Sequence, residues 1–179
     1  MIWLIIFGSL IGIIIILALV GPKTYHLYRD IVINRPKSEV YDYLKYVNNQ
    51  DNWSPWKKKD PNMTQSFEGT DGSVGYISKW DGNKDVGVGE QEIIAMTPGE
   101  RIDTQLRFFK PWKSESDAYI KVDDASGGTK VTWGFSGVNK VPMNIMMLFY
   151  NMDKSVGKDF EEGLAMLKSI LEGDHSEQE

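Results

Sequence analysis

The stretch 142–171 constrains the fold more than any other part of the chain. Its apolar residues Met146, Phe149, Met152, Val156, Phe160, Leu164, Leu167 and Leu171 recur at steps of three and four. That is the helical period, and it gathers them on one face. Lys154, Lys158, Glu161, Glu162 and Lys168 fall on the opposite side. Pro142 suits a helix start, where its missing N–H is not needed, and Gly173 suits a helix end. At about 1.5 Å per residue, a continuous helix here is roughly 45 Å long. An isolated amphipathic helix is marginal in water, so the rest of the chain must cover its apolar face.

The middle of the chain offers the cover. Residues 63–68, 74–80, 86–96, 101–109, 116–122 and 130–137 read as strands. They are separated by turn signals: Asp71-Gly72, Asp81-Gly82-Asn83, Thr97-Pro98-Gly99, Pro111 and Ser126-Gly127-Gly128. Regular spacing of this kind is the mark of an antiparallel meander. Ile102, Thr104, Leu106 and Phe108 share one face of their strand, and Val131, Trp133 and Phe135 share one face of theirs. The sheet therefore has an apolar face and a wetter one, as a sheet covered on one side requires. Upstream, residues 25–33 read as a further strand. Pro36 and Glu39 open a short helix with Val40, Leu44 and Val47 on its apolar face. Trp53-Ser-Pro-Trp56 follows, to plug the core or to line a pocket mouth.

Residues 1–20 carry no charged side chain. Twenty helical residues span about 30 Å, the thickness of a bilayer's hydrocarbon core. A cleaved signal peptide fits poorly, because there is no basic n-region and Gly21-Pro22 replaces a small-x-small cleavage site. The reading is an uncleaved anchor. Lys23, Arg29, Arg35 and Lys37 follow it, which by the positive-inside rule places the soluble domain in the cytoplasm. Gly8 and Gly12 have the spacing that lets two membrane helices approach closely, a candidate homodimer contact. The basic run Lys57-Lys58-Lys59 is a solvated face or a contact with anionic lipid. The expected division is an anchor at 1–21, one domain at 25–171 and an acidic, disordered tail at 172–179.

Composition removes several functional classes. The chain has 179 residues and a net charge of −5, which argues against nucleic acid as a partner. It has no cysteine and only His26 and His175, so thiol chemistry is excluded and neither a metal site nor a cofactor is expected.

A family resemblance rests on Ile31-Val32-Ile33-Asn34-Arg35-Pro36, the run from Val40 to Leu44, Trp53-Ser-Pro-Trp56, Val86-Gly87-Val88-Gly89-Glu90, Gly128-Thr129-Lys130-Val131-Thr132-Trp133 and Asp159-Phe160-Glu161-Glu162-Gly163-Leu164. In this order they resemble the polyketide cyclase/dehydrase branch of the START-related SRPBCC superfamily, from about residue 25 to 171. Many bacterial members also begin with one membrane helix. The resemblance implies an α+β helix-grip fold, with a curved antiparallel sheet of about seven strands around the C-terminal helix and an apolar cavity between them.

The function this implies is a membrane-anchored binding module for a hydrophobic small molecule: a lipid, a quinone or a polyketide-like compound. The candidate cavity residues are Trp53, Trp56, Trp80, Phe108, Trp133, Phe135, Met143, Met146, Met147, Phe149, Tyr150 and Met152. Methionine is flexible and adapts to varied apolar shapes. Gly157 and Gly163 remove side chains where a helix faces a cavity or approaches a sheet closely. An enzyme of the cyclase or dehydratase type is the alternative. Its acid–base candidates are Asp60, Tyr76, Glu90, Glu92 and Asp103, which form no recognisable constellation. Related folds also occur in activators of chaperone ATPases, so a regulatory or protein-interaction domain is a third reading.

Overall fold

The computed structural model describes residues 2–173. The uncharged N-terminal run forms helix α1 (Ile2–Val20), with none of its residues buried. By length and composition α1 could cross a membrane. Gly21-Pro22-Lys23 leads directly into strand β1 (Thr24–Ile33). Helix α2 (Lys37–Leu44) buries Val40, Tyr41 and Leu44. A 3-10 turn (Val47–Asn49) and two short helices, α3 (Gln50–Trp53) and α4 (Pro55–Lys59), follow. The meander then runs β2 (Thr64–Glu68), β3 (Ile77–Asp81), β4 (Val88–Thr97), β5 (Arg101–Lys110), β6 (Ser114–Ala125) and β7 (Gly128–Val138).

The strands form one antiparallel seven-stranded sheet in the order β1-β7-β6-β5-β4-β3-β2. The hairpin signals pair each strand of the meander with the next. What they could not place is β1, which returns to pair with β7 along its whole length, from Thr24 opposite Val138 to Ile33 opposite Thr129. In β4 the register shifts at Val88/Gly89 and again at Ile93/Ala95. Such bulges bend a strand and increase its twist, which adds to the curvature of the sheet.

Strand β3 starts at Ile77 rather than at residue 74. The intervening loop serves as a clamp: Asp71 accepts hydrogen bonds from the backbone N–H of Val47 (2.8 Å) and Asn48 (3.1 Å). The residue read as a turn former thus also satisfies the orphan donors of a neighbouring helical turn.

The largest departure concerns the C-terminal helix, which is not continuous from residue 142. Pro142 opens only a four-residue helix, α5 (Met143–Met146). The chain then turns, and helix α6 (Met152–Glu172) starts afresh. Asn151 caps it, its side chain accepting from the Lys154 N–H at 2.9 Å. Gly173, at φ +77°, closes it as expected. At about 1.5 Å per residue the 21 residues of α6 span roughly 32 Å. The period of Met146 and Phe149 matches the helix, but these side chains are 46 % and 80 % exposed, whereas Phe160, Leu164 and Leu167 are buried. The tail expected at 172–179 begins inside α6 with Glu172, and residues 174–179 lie outside the described residues.

Helix α6 lies on the inner face of the sheet and packs chiefly along β1, with α3 and α4 against its other side. The sealed core sits where Ile33, Val131, Ile102 and Val122 meet Leu44, Leu164 and Leu167.

Candidate functional site

Strand alternation sorts the site. Trp133, Phe135, Ala118, Leu106, Phe108, Gln91, Ser78, Trp80 and Gln65 all project from the inner face, as the register shows. Where α6 and α2 cover that face, it is closed. Toward the other end of the strands the cover stops, and a cavity of about 270 Å³ remains between β2–β7, α3, α4 and the first turns of α6.

An aromatic cluster forms its floor. The rings of Trp133 and Phe160 stack at 4.0 Å with 6° between their planes. Trp53 meets Trp133 edge-on at 4.8 Å, and Trp56 does so at 5.5 Å. Edge-to-face and offset contacts suit the ring quadrupole and add to the area buried. The two tryptophans flanking Pro55 divide the roles that the sequence left open. Trp53 is a core plug, 2 % exposed, and Trp56 is half-buried and lines the cavity. Gly163 makes this packing geometrically feasible: a Cβ there would sit 3.0 Å from Trp133 Cζ3 and 3.3 Å from Pro55 Cδ. Gly157 faces the Arg29 guanidinium rather than the cavity.

The opposite wall is a cross-strand row. Trp80 on β3 pairs with Gly89 on β4, which pairs with Phe108 on β5. A Cβ at Gly89 would lie 2.7 Å from Trp80 Cζ2, so the indole lies over the glycine and reaches Phe108, ring to ring at 5.6 Å. That dependence of a tryptophan on a glycine in the next strand is visible only once the register is known.

Polar groups collect at one side of the wall. Lys57 donates to Gln65 (2.6 Å), whose amide donates to both carboxylate oxygens of Asp51 (3.1 and 3.0 Å). Gln91 donates to Thr104 (3.1 Å). Asp51 and Lys57 are the titratable side chains of the wall among the described residues.

Of the residues expected to line the cavity, Trp56, Trp80, Phe108, Trp133 and Phe135 do so. Trp53 stands behind the wall in the core, and Met152 is half-buried at the start of α6. Met143, Met146, Met147, Phe149 and Tyr150 lie off the cavity, because the chain breaks between α5 and α6 and carries them toward α1. Sequence reading missed Phe160 and Val156 as wall residues, although their helical period placed them on the correct face. It also missed Leu106 and Gln91, which strand alternation could have supplied.

The acid–base candidates lie elsewhere. Glu90 and Glu92 point outward, where Arg107 bridges both carboxylates. Asp103 pairs with Arg101 on the same outer face, at 2.7 Å. Asp60 clamps a loop by accepting from the Asn83 N–H at 2.7 Å. Tyr76 is buried in the core and donates to Asn48 (2.6 Å), and burial with the nearby Asp71 charge pushes its phenol up to about 12. Of the lysine run, Lys59 is paired with Asp159 at 2.6 Å, and Lys57 with Gln65. No group of three or more histidine or acidic side chains is placed to hold a metal ion among the described residues.

No protein-family model matches the chain, and no curated protein does. Solved structures do match it. An uncharacterized protein from Rhizobium leguminosarum aligns at TM-score 0.60 and 14% identity, over 85% of this chain and 97% of that one. The solution structure of the Aha1 dimer from Colwellia psychrerythraea aligns at TM-score 0.57 and 16% identity, over 83% and 96%. The di-domain ARO/CYC StfQ from the steffimycin biosynthetic pathway aligns at TM-score 0.61 and 10% identity, covering 84% of this chain and 51% of that one. At such identities the likeness shows the fold alone: an α+β, helix-grip-like arrangement.

Proposed function

We propose that this chain is a binding module for a small hydrophobic molecule, tethered to a membrane by α1, and that it belongs to the SRPBCC superfamily it resembles. The observation that carries the reading is the cavity itself. Leu106, Phe108, Phe135 and Val156 face inward yet stay half-exposed, because the protein's own side chains do not fill the space they border. Ligand sites are mostly apolar clefts with a few convergent polar groups, and the Asp51–Gln65–Lys57 chain supplies those groups here.

The volume narrows the ligand class. A cavity of about 150 Å³ holds benzene, and drug-sized ligands take about 300 Å³ or more. At about 270 Å³ the space suits a one- or two-ring compound, or the ring end of a longer amphiphile, rather than a whole lipid. A quinone ring meets both the size and the single polar edge. Placing the domain in the cytoplasm rests on Lys23, Arg29, Arg35 and Lys37 alone.

The full chain in nanodiscs, titrated with 1,4-naphthoquinone, tests this through its tryptophan fluorescence. Trp56, Trp80 and Trp133 border the cavity, so binding there gives saturable quenching. Ala118→Phe, which pushes a ring into the space, abolishes the saturable part. Linear quenching that is identical in the parent and in Ala118→Phe refutes the reading.

The ARO/CYC neighbour supports a second reading, a cyclase-type enzyme. Its acid–base work would fall to Asp51 and Lys57, the titratable groups of the wall. Undiminished turnover of an identified substrate by Asp51→Asn would remove that assignment.

A further inference from the structure

We propose that the end of the sheet next to α1 is a bilayer-docking surface and that the cavity opens onto it, so that ligand enters from the membrane. The inference rests on the reading of α1 as an anchor and of the cavity as a ligand site.

Topology places the relevant parts together. Antiparallel order brings Thr24, Thr64, Asp81, Val88, Lys110, Ser114 and Val138 to one end of the sheet. Thr24 follows α1 after three residues, so this is the end that α1 holds. The segment after β7 is locked to the end of α1. The buried Asn144 donates its side-chain amide to Ala18 O (2.7 Å), and Asn139 donates to Pro22 O (3.3 Å) and, through its backbone N–H, to Lys23 O (2.8 Å). Gly21 leaves no room for a Cβ, which would sit 2.5 Å from Asn144 O.

The same end exposes apolar surface that nothing in the fold explains. Phe149 is 80 % exposed, and Val141, Leu148 and Tyr150 beside it are exposed as well. The adjacent β5–β6 hairpin tip exposes Trp112, at 61 %. Val138, Met146 and Phe109 at the same end are exposed too, whereas Tyr28, Val32, Tyr46, Phe67, Val74 and Ile94 lie on other surfaces, where exposed apolar side chains need no explanation.

Charge selects the occupant. Beside α1, residues 21–25, 109–114 and 138–152 contain Lys23, Lys110, Lys113 and Lys140 and no acidic residue, in a chain of net charge −5. Asp81 and Asp85 lie at the β3–β4 side of the same end, away from α1. Tryptophan, tyrosine and lysine around an apolar tip are the side chains that settle at the headgroup level of a bilayer. Lysines close to the surface are drawn to anionic lipid. Continuity with α1, whose apolar side chains are all unburied, points to the same partner.

The cavity lies toward this end. On β5, Ile102 and Thr104 are buried, but Leu106 and Phe108, nearer the α1 end, are half-exposed. On β7, Val131 is buried and Phe135 is half-exposed. On these two strands the inward side chains lose burial toward the α1 end, although Ser116 on β6 and Leu27 on β1 stay buried, and the opening is assigned to the β5 and β7 side of that end.

The chain has no cysteine, so single labels are clean. Phe149→Cys, Trp112→Cys and, at the far end of the sheet, Ser126→Cys are labelled with a nitrobenzoxadiazole fluorophore. The full chain is then reconstituted in phosphatidylcholine vesicles containing phosphatidylglycerol. Shallow nitroxide lipids should quench positions 149 and 112 at least twofold more than 126, with aqueous iodide showing the reverse order. Equal quenching at all three positions overturns the proposal. So does shielding from iodide without nitroxide quenching, which would mean a protein partner or a second copy. A Leu148→Ser, Phe149→Ser double variant should take up naphthoquinone from vesicles about tenfold more slowly, with the saturable binding itself unchanged. An unchanged rate overturns the entry route. Failure to float with the vesicles refutes the anchor reading and this proposal together, whereas loss of saturable binding with the quenching order intact refutes only the cavity reading.

Discussion

Gly163 and Gly157 sit on one helix and meet different neighbours. A methyl at Gly163 points at Trp133, which is fixed between Phe160 on one face and Trp53 at its edge. Overpacking of this kind costs about 1–3 kcal/mol, more than the gain of about 1 kcal/mol from replacing a helical glycine by alanine. Gly163→Ala should therefore lower the urea midpoint of the full chain. A methyl at Gly157 meets only the Arg29 guanidinium, the far end of a flexible side chain paired with the exposed Asp153 and Glu161. Exposed pairs contribute little, so Gly157→Ala should leave the midpoint within about 1 kcal/mol of the parent by the same measurement. Tyr76 adds a pH dependence. Its folded pKa of about 12 lies above the unfolded value near 10, so it contributes stability that is fully present below about pH 10 and is lost as pH rises toward 12. Tyr76→Phe should lose about 1 kcal/mol at neutral pH through the missing bond to Asn48. It should also show a shallower loss of stability above pH 10, read from urea midpoints across that range. Tyr25, Tyr41 and Tyr119 are raised too, chiefly by burial, so the slope is reduced rather than abolished.

Helix α6 exists as a separate element because its first turn is capped. Asn151→Ala removes the acceptor for the Lys154 N–H and should destabilise the domain by about 1 kcal/mol, with Asn151→Asp restoring most of it. Equal stability of all three proteins would mean that tertiary contacts alone hold the break between α5 and α6. Helix α1 carries Gly8 and Gly12, and a Cβ at either would meet nothing within 4 Å. If that open face pairs two chains, Gly12→Ile should reduce crosslinking in membranes severalfold. Undiminished crosslinking would discard the pairing.

At the scale of the molecule, a ligand that binds the folded cavity and not the unfolded chain stabilises by mass action. Naphthoquinone at about 100 times its Kd should add about 2.7 kcal/mol, seen as a rise in melting temperature of the reconstituted chain. Ala118→Phe should show no such rise. The same arrangement explains why an incompletely covered inner face is tolerated. The far half of the sheet, closed over Ile33, Val131 and Leu167, supplies the core, so the α1 end is free of that role.

Period and punctuation are local properties, and the sequence alone determined what depends on them. The strands of the meander, the inward set from Ile102 to Phe108, the apolar face at Phe160 to Leu167 and the end at Gly173 follow from spacing and turn residues within a few positions. Tertiary structure decided whatever depends on a distant partner. Helical spacing could not show that Asn144 would bond to Ala18 and draw Met146 and Phe149 out of the helix. Nor could it separate Trp53, packed edge-on against Trp133, from Trp56 at the cavity wall. The reason is physical: a pattern fixes which way a side chain points along its own element, whereas burial is set by what another part of the chain brings against it.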